Sequence, residues 1–383
     1  MIKNEFDSFL ESLYNNRTVT NPTKLTRQDL ADNGIVIYGM GFHGKLVLES
    51  LLLQGITPDW IIDKNPNIVG SLIENIAVRD LDSLNDINKR YIIISSSYVN
   101  EMIDECVRHN ARNYILPYSL TDICYIPGEF GVSGNIRQHF EQIKKVHALL
   151  KDAASKKVFR NFIEFHLTFK PNSFDDHDPN VYFPFDLTQM IDYSFFVDAG
   201  AYTGDTLRAW LEHYKPEQKS GDYSYYAFEP CSDQFAELTS TIESLPQKIQ
   251  KNIFPLKMAL GDKEATFPIS GSGLGAYINE NYDRKSNVAE EAVIKRIDDL
   301  FADRKPTIIK ADVEGFEKRL LEGALSVIKN SRPTLALSVY HRYEDIFKIP
   351  LIIDDLNCGY DFYMRQHLPI YADTVCYAIP KKS

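Results

Sequence analysis

Cysteine, excess basic charge and long apolar runs are all scarce in this chain of 383 residues. The five cysteines are scattered and form no CxxC pair, which argues against a disulfide framework and a zinc site. The net charge of −11 argues against nucleic acid or an anionic membrane as a partner. No stretch approaches the roughly 18 apolar residues of a membrane span, and the first residues lack the apolar core of a signal peptide. We therefore expect a cytoplasmic protein.

The length of the chain predicts two domains, because 383 residues exceed a typical single domain. Strand-like and helical runs alternate in two separate stretches, and this alternation predicts parallel sheets with crossover helices. We therefore predict an α/β protein with two Rossmann-like domains joined by a helical segment. The predicted parts are an N-terminal helical segment (1–30), a nucleotide-binding-type domain (31–125), a helical linker (126–180) and a second α/β domain (181–383).

The first domain carries a glycine turn, GMGFHG, between a predicted strand and a predicted helix. Its glycines are Gly39, Gly41 and Gly44, and Asp63 closes the next predicted strand. This spacing is the dinucleotide-binding fingerprint in the context that it requires. The same turn also occurs in folds that bind a nucleotide-sugar or no ligand. Binding of a nucleotide-sugar, a structural role and, as the weakest interpretation, use of NAD all stay open.

The second domain carries a different glycine turn, FFVDAGAYTGD, at residues 195–205. Here an acidic residue, Asp198, ends the strand before the glycines Gly200 and Gly204. The glycines let the backbone approach a ligand closely, and the helix that follows offers free N–H groups to a carboxylate. An acid before the first glycine suits a ligand with an ammonium group and hydroxyls. S-adenosylmethionine fits this pattern better than a dinucleotide.

Further acids follow the next predicted strands. Glu229 ends YSYYAFEP, where it would accept hydrogen bonds from ribose hydroxyls, and Asp262 follows FPLKMALG near an adenine edge. Asp312 and Glu314 lie in IIKADVEGFE, and His341 ends the strand after it. Because parallel strands end at one edge of a sheet, we expect these side chains to share one pocket.

The segments VDAGAYTGDT, YAFEP, LGD, IIKADVEGFE and SVYH, in this order, resemble the FkbM family of S-adenosylmethionine-dependent methyltransferases. The resemblance covers roughly residues 180–380. It implies a class I methyltransferase fold with a seven-stranded mixed sheet, in which GYDFYMRQHL and DTVCYAIP form an antiparallel final pair. It also implies O-methylation of a sugar hydroxyl in a glycan, a nucleotide-sugar or a glycosylated metabolite. The first domain resembles Rossmann-like domains associated with nucleotide-sugars.

The resemblance assigns roles to the residues of the second domain. The residues that it implies around the cofactor are Asp198, Gly200, Thr203, Gly204, Asp205, Glu229 and Asp262. Tyr182 precedes the first strand of this domain, and we expect it to form part of the wall of the cofactor pocket. His341 or Asp312 would act as the base, with His341 preferred because imidazole titrates near neutral pH. Asp312, Glu314 and His341 also offer ligands for Mg²⁺, although acids at a helix start occur without a metal.

Other interpretations of the whole chain stay open. The protein would bind a small-molecule or glycan acceptor, and the long helical stretch 136–167 favours a homodimer. The main alternative is a non-catalytic nucleotide-sugar-binding or assembly protein with an inactive methyltransferase fold. An NAD-dependent enzyme that uses the first domain is a weaker one. The glycine-rich segment ISGSGLGAY (269–277) fits a closing loop and a plain turn equally well.

Overall fold

The chain divides into two compact units in its computed structural model. Unit 1 comprises residues 1–144 and 161–173, and unit 2 comprises residues 145–160 and 174–383. The structure describes residues 5–15, 30, 32–53, 55–87, 89–95, 99–111, 113–115, 139–168, 176–218, 221–270, 277–278, 290–368 and 372–382. The glycines of ISGSGLGAY lie outside these residues. No helix in the described ranges is both long and apolar enough to cross a membrane.

Unit 1 is built on a six-stranded, mostly parallel sheet. Its strands are β1 (Ile35–Tyr38), β2 (Trp60–Ile62), β3 (Leu72–Ile73), β4 (Ile76–Arg79), β5 (Tyr91–Ile94) and β6 (Tyr114–Ile115). They lie in the order β3-β4-β2-β1-β5-β6, and only the β3–β4 pair is antiparallel. The central strands are nearly continuous apolar runs because both of their faces are buried.

The helices described between residues 5 and 168 include one that follows β1 and two in the segment predicted as a linker. They are α1 (Glu5–Asn15), α2 (Phe42–Leu53), α3 (Val99–Arg108), α4 (Phe140–Leu149) and α5 (Ala153–Thr168). Helix α2 begins at Phe42, within the glycine motif, so Gly44 lies in its first turn. The residues of α4 and of α5 are each divided between the two units.

Unit 2 contains a seven-stranded sheet and a smaller four-stranded sheet. Its strands are β7 (Phe195–Ala199), β8 (Ser224–Phe228), β9 (Ile253–Leu256), β10 (Ala259–Leu260), β11 (Ala265–Ser270), β12 (Tyr277–Ile278), β13 (Glu291–Lys295), β14 (Ile308–Ala311), β15 (Thr334–Ser338), β16 (Tyr360–Gln366) and β17 (Thr374–Pro380). Its further helices are α6 (Asp205–Tyr214), α7 (Ser232–Glu243), α8 (Gln247–Gln250), α9 (Ile297–Leu300), α10 (Glu317–Glu322), α11 (Leu325–Ser331) and α12 (Asp345–Asp355).

The large sheet confirms the predicted mixed topology. Its order is β16-β17-β15-β14-β7-β8-β9, and β17 runs antiparallel to both of its neighbours. The β15-β14-β7-β8-β9 part is parallel throughout. The carboxyl ends of these parallel strands therefore meet at one edge, which is where open α/β sheets bind ligands.

The small sheet was not predicted from the sequence. Its order is β10-β13-β11-β12, and it is inserted in the chain between β9 and β14. Its strands are short, and β11 contains a proline, so no regular alternation marks it. This insertion matters for function because three of its strands, β10, β11 and β12, reach the cavity described below.

Aromatic side chains form much of the core under β7 and β8. Phe196 stacks on Tyr225 with ring centroids 4.9 Å apart, and Trp210 of α6 lies 5.1 Å from Tyr225. The indole Nε1–H of the fully buried Trp210 donates to the carbonyl of Tyr193 over 3.0 Å. Large aromatic rings bury much apolar area, so this cluster gives β7 a rigid support. The turn that follows β7 therefore starts from a fixed point.

Candidate functional site

A cavity of about 890 Å³, including the open space at its mouth, lies at the carboxyl ends of β7, β8 and β14. Its lining combines strand tips of the large sheet with residues of the small sheet and of α7. These residues are Gly200, Tyr202, Asp205, Phe228, Glu229, Pro230, Cys231, Gln234, Ala259, Leu260, Ile269, Ile278, Lys310, Asp312, Val313, Glu314 and Phe316.

Gly200 is where the chain after β7 comes closest to its neighbour. Its φ of +76° lies in the left-handed region, and a Cβ at this position would lie 1.9 Å from the carbonyl oxygen of Asp312. The N–H groups of Gly200 and Ala201 both donate to the carbonyl of Phe228. The tip of β7 is therefore tied to the tip of β8 and packed against the tip of β14, and only glycine fits there.

Glu229 connects the cavity wall to the glycine turn. One carboxylate oxygen accepts from the N–H of Tyr202 and the other from the N–H of Cys231, each over 2.9 Å. The side chain is 6% exposed, and burial raises the pKa of Glu229 while these N–H groups lower it. Each oxygen keeps a lone pair for another donor. Glu229 thus lies where the sequence analysis put a partner of ribose hydroxyls.

Asp198 lies behind the turn, outside the cavity lining. The strand register pairs it directly with Lys310 of β14, and its Oδ1 lies 2.9 Å from the Lys310 Nζ. The Tyr225 hydroxyl donates to its Oδ2 over 2.6 Å, and the carboxyl group is fully buried. Lys310 also donates to the carbonyl of Gly200 over 2.6 Å. Asp198 therefore acts on the turn through Lys310 in this structure.

The buried lysine is held in its charged form by its surroundings. Burial lowers the pKa of Lys310, but the carboxylates of Asp198 and Asp312 outweigh it and hold that pKa above its usual value. A buried charge without a partner would be costly, so the pair is stable only while both members are present. Lys310 thereby links the glycine turn to the strand that carries Asp312.

Three of the remaining predicted cofactor residues differ in whether they line the cavity. Asp205 lines the cavity at the start of α6, after Gly204, whose φ is +87°. The carbonyl of Thr203 accepts from the Thr241 hydroxyl over 3.2 Å. Asp262 forms an ion pair with Arg319 over 3.0 Å and is not part of the cavity lining.

Tyr182 positions an acid of the cavity. Its hydroxyl donates to Asp312 Oδ2 over 2.7 Å and lies 3.2 Å from the Ser338 hydroxyl. The tyrosine is buried and its φ is +66°, so its backbone is held in a conformation that side chains rarely adopt. Tyr182 lies outside the cavity lining. Its hydroxyl therefore holds one oxygen of Asp312 from the side away from the cavity.

Carboxylate groups lie close to both ring nitrogens of His341. Its Nδ1 lies 2.8 Å from Glu317 Oε1, and its Nε2 lies 3.3 Å from Asp312 Oδ1 and 3.6 Å from Glu314 Oε2. The imidazole is 4% exposed. The sequence analysis brought Asp312, Glu314 and His341 together correctly. Glu317 begins α10, where acidic residues are common, so its place in the sequence does not indicate this contact.

The surroundings of His341 oppose the expectation that its imidazole titrates near neutral pH. Burial lowers the pKa of His341, but the carboxylates of Glu317, Glu314 and Asp312 outweigh it and raise that pKa well above the usual value. Burial raises the pKa of Asp312, but His341 and Lys310 outweigh it and keep Asp312 ionised. These carboxylates thus disfavour the neutral imidazole that a general base needs at neutral pH.

Two more acids that the sequence analysis did not identify, the buried Asp345 and the half-buried Asp373, lie near this group. Burial, and after it the negative charge of Asp312, raises the pKa of Asp373 to about 6. Burial, and after it the negative charge of Glu317, raises the pKa of Asp345 to about 7. They come from segments far apart in the chain and belong to no motif, so no local pattern indicates them.

In unit 1, the acid of the fingerprint, Asp63, accepts hydrogen bonds from backbone N–H groups at the glycine turn. Asp63 accepts from the N–H of Met40 over 2.6 Å and from the N–H of Asn65 over 2.8 Å. Gly39 has a φ of +95°, and a Cβ on Gly44 would lie 2.0 Å from the carbonyl oxygen of Gly39. The residues of the fingerprint thus lie together, and the acid holds the backbone of the turn.

Comparisons with known proteins agree with this picture of unit 2. The family model described as methyltransferase FkbM domain matches residues 198–362. The structure of methyltransferase FkbM from Methylobacillus flagellatus KT matches with a TM-score of 0.72 and 20% identity, over 97% of this chain and 98% of that one. A putative rRNA-methylase from Clostridium thermocellum reaches a TM-score of only 0.33 at 8% identity, over 52% of this chain and 93% of its own. No curated protein matches the chain.

Proposed function

We propose that this protein methylates a sugar hydroxyl with S-adenosylmethionine as the donor, on the premise that residues 198–362 match the model of the methyltransferase FkbM domain. The observation that carries the proposal is the cavity at the strand tips of unit 2, where Gly200, Glu229 and Asp312 face one space. A sugar is the acceptor class because the motif set resembles enzymes of that kind.

The cavity fits the cofactor in shape and in chemistry. The missing side chain of Gly200 leaves room for a ligand against the backbone. Glu229 suits the ribose hydroxyls, since its buried carboxylate has lone pairs to spare. Leu260 and Ile269 offer apolar surface for a flat base. The bound cofactor would supply an electrophilic methyl group on sulfur.

The protein's own task in this reaction is alignment. A methyl transfer needs the acceptor oxygen in line with the methyl carbon and the sulfur, so precise placement lowers the barrier most. Asp312 is ionised, lines the cavity and is fixed by Tyr182, so it accepts a hydrogen bond from the acceptor hydroxyl and orients it. As the new oxygen–carbon bond forms and the carbon–sulfur bond breaks, the hydroxyl becomes acidic and its proton passes first to this carboxylate.

Calorimetry with S-adenosylhomocysteine tests the cofactor site. The full chain is expected to bind it at one site, and Glu229→Gln is expected to bind it about 10 to 100 times more weakly, because a charged hydrogen-bond acceptor is lost. Glu237→Gln is the matched control, since Glu237 is exposed on helix α7. Absence of binding by folded wild-type protein would favour the non-catalytic alternative.

The acceptor class has its own test. Transfer of a radiolabelled methyl group from S-adenosylmethionine is measured with free monosaccharides and nucleotide-sugars, and separately with amines. We expect base-stable labelling of the sugars. Labelling of amines alone would contradict the hydroxyl acceptor, even if the cofactor site is correct.

A further inference from the structure

One nitrogen of His341 faces carboxylates without a hydrogen bond. Nε2 is fully buried, and among the described residues no group forms a hydrogen bond with it. Asp312 Oδ1 and Glu314 Oε2 lie 3.3 Å and 3.6 Å away, so the geometry is poor for a proton on this nitrogen. Buried polar atoms in native proteins normally have a partner, and an unsatisfied one demands an explanation.

The opposite nitrogen explains how the ring is oriented. Nδ1 lies 2.8 Å from Glu317 Oε1, and this oxygen also accepts from the N–H of Val313 over 3.1 Å. Glu317 is fully buried, so its carboxylate holds the imidazole with Nδ1–H as the donor. The lone pair of Nε2 in the neutral ring then points towards Asp312 and Glu314. Histidines that bind metals commonly have their other nitrogen held by a carboxylate in this way.

Two separations, those of Nε2 from Asp312 Oδ1 and from Glu314 Oε2, suit one shared cation, and ligand atoms of Asp312, Glu317 and His341 all lie within 4.8 Å of one another. Two ligand atoms at about 2.1 Å from the same ion are about 3.0 Å apart at a right angle and about 3.4 Å apart at the tetrahedral angle. The distances from Nε2 to the two oxygens fall near this range. Three carboxylates surround one imidazole here, and a divalent cation balances that charge better than a single proton.

We propose that Asp312, Glu314 and the Nε2 of His341 bind a first-row divalent cation, with Glu317 as the positioning residue. An imidazole in the ligand set favours Mn²⁺ or a later metal over Mg²⁺, which prefers oxygen ligands. The inference deepens the proposed function, on which its role in methyl transfer rests. Since Asp312 and Glu314 line the cavity, a cation held there would bind a hydroxyl of the acceptor and make it more acidic.

Titration with MnCl₂, followed by the loss of the free-ion signal in electron paramagnetic resonance, tests the site without cofactor or acceptor. The full chain is expected to bind one Mn²⁺. His341→Ala is expected to weaken binding at least about 100-fold, because a ligand is lost, and Glu317→Gln about 10-fold or more through loss of orientation. MgCl₂ is expected to displace Mn²⁺ only at an excess of about tenfold or more.

Two variants keep this test decisive. Glu314→Gln changes a ligand that is partly exposed, so it is expected to fold normally and to bind Mn²⁺ about tenfold or more weakly. Glu322→Gln is the matched control on α10, where Glu322 pairs with Lys318 at the surface, and it is expected to bind like the wild type. Glu317→Gln with wild-type affinity for Mn²⁺ would overturn its positioning role.

The cation site and the methyltransferase function can fail separately. Protein that binds S-adenosylhomocysteine but no Mn²⁺ at millimolar concentration would overturn the cation site and leave the proposed function intact. Equal affinity for Mn²⁺ in wild type, His341→Ala and Glu314→Gln would also overturn it. Binding of Mn²⁺ without any binding of S-adenosylhomocysteine would support the site and overturn the role in methyl transfer.

Discussion

Several side chains of unit 2 are buried with a charge state that the fold imposes on them. His367 shows this most simply, since its ring is 1% exposed and both nitrogens are engaged. Nδ1 lies 2.6 Å from the carbonyl of Asp178, and Nε2 lies 2.8 Å from the Tyr377 hydroxyl. Nδ1–H therefore donates and Nε2 accepts. Burial lowers the pKa of His367 to about 4, although the Asp178 carbonyl opposes it.

His367 should make unit 2 less stable in acid. Between pH 6.5 and about 4 the unfolded chain binds a proton that the folded chain does not, so the free energy of unfolding falls as the pH drops. At about 1.4 kcal/mol per pKa unit, the loss approaches roughly 3 kcal/mol near pH 4. His367→Gln is expected to be less stable than wild type at pH 7.5, with a difference that shrinks towards pH 5.

Urea unfolding measures this difference through the fluorescence of Trp210. A Trp60→Phe background removes the other of the two tryptophans. His213→Gln is the control for loss of a histidine, because His213 is exposed in the same unit. A wild-type minus His367→Gln difference that stays constant from pH 7.5 to 5 would contradict the assignment of a neutral buried imidazole.

At the scale of elements, the site depends on how closely β7 and β14 approach at their ends. The register places Asp198 opposite Lys310, and the lysine reaches on to the carbonyl of Gly200. Behind them, Tyr182 holds Asp312 from outside the large sheet. The cofactor turn and the acid proposed for the acceptor are therefore parts of one connected structure, and a shift of either strand tip would misalign both.

Gly200→Ala tests this close approach. The new Cβ would lie 1.9 Å from the Asp312 carbonyl oxygen at a φ of +76°, so strand tip and turn must move apart. We expect a loss of about 2 to 4 kcal/mol in the free energy of unfolding, from strain and overpacking together. Binding of S-adenosylhomocysteine is expected to weaken at least about tenfold. Both are measured by urea unfolding and calorimetry.

Gly221→Ala is the matched control for that variant. A Cβ on Gly221 meets nothing within 4 Å, and no left-handed φ is required there. We expect its stability to lie within about 0.5 kcal/mol of wild type. Equal effects of the two alanines would show that the approach of β7 to β14 is not tight.

At the scale of the whole molecule, each unit has a glycine turn between a parallel strand and a helix. In unit 1 the acid after the next strand, Asp63, bonds the backbone of the turn. In unit 2 the corresponding acid, Glu229, bonds the turn and also lines a cavity. This difference favours unit 2 for the proposed cofactor site over the turn that obeys the dinucleotide fingerprint more closely.

Hydrogen exchange of the full chain with and without S-adenosylhomocysteine tests this assignment. Ligand binding stabilises the parts that hold the ligand, so protection is expected to rise at residues 199–205 and 228–232. Residues 35–63 of unit 1 are expected to exchange as before. Added protection at residues 39–44, without any at 199–205, would contradict the placement.

Much of the fold of unit 2 could be predicted from the chain. The strand–helix alternation, the antiparallel final pair and the order of the acid-bearing strand tips are local patterns, and the large sheet confirms its predicted topology. The small sheet was missed because its strands are short and contain no regular alternation. Motif and order thus indicated the edge of the sheet at which the site lies.

The sequence by itself determined which acids end neighbouring strands, because motif spacing and chain order place them at one edge. Only the tertiary structure decided what each acid does. Asp198 and Glu229 both end parallel strands, yet register turns Asp198 to Lys310 in the core, while Glu229 faces the cavity. Glu317 joins His341 because packing brings α10 against the end of β15. Side-chain direction depends on register and packing between distant segments, which no local pattern contains.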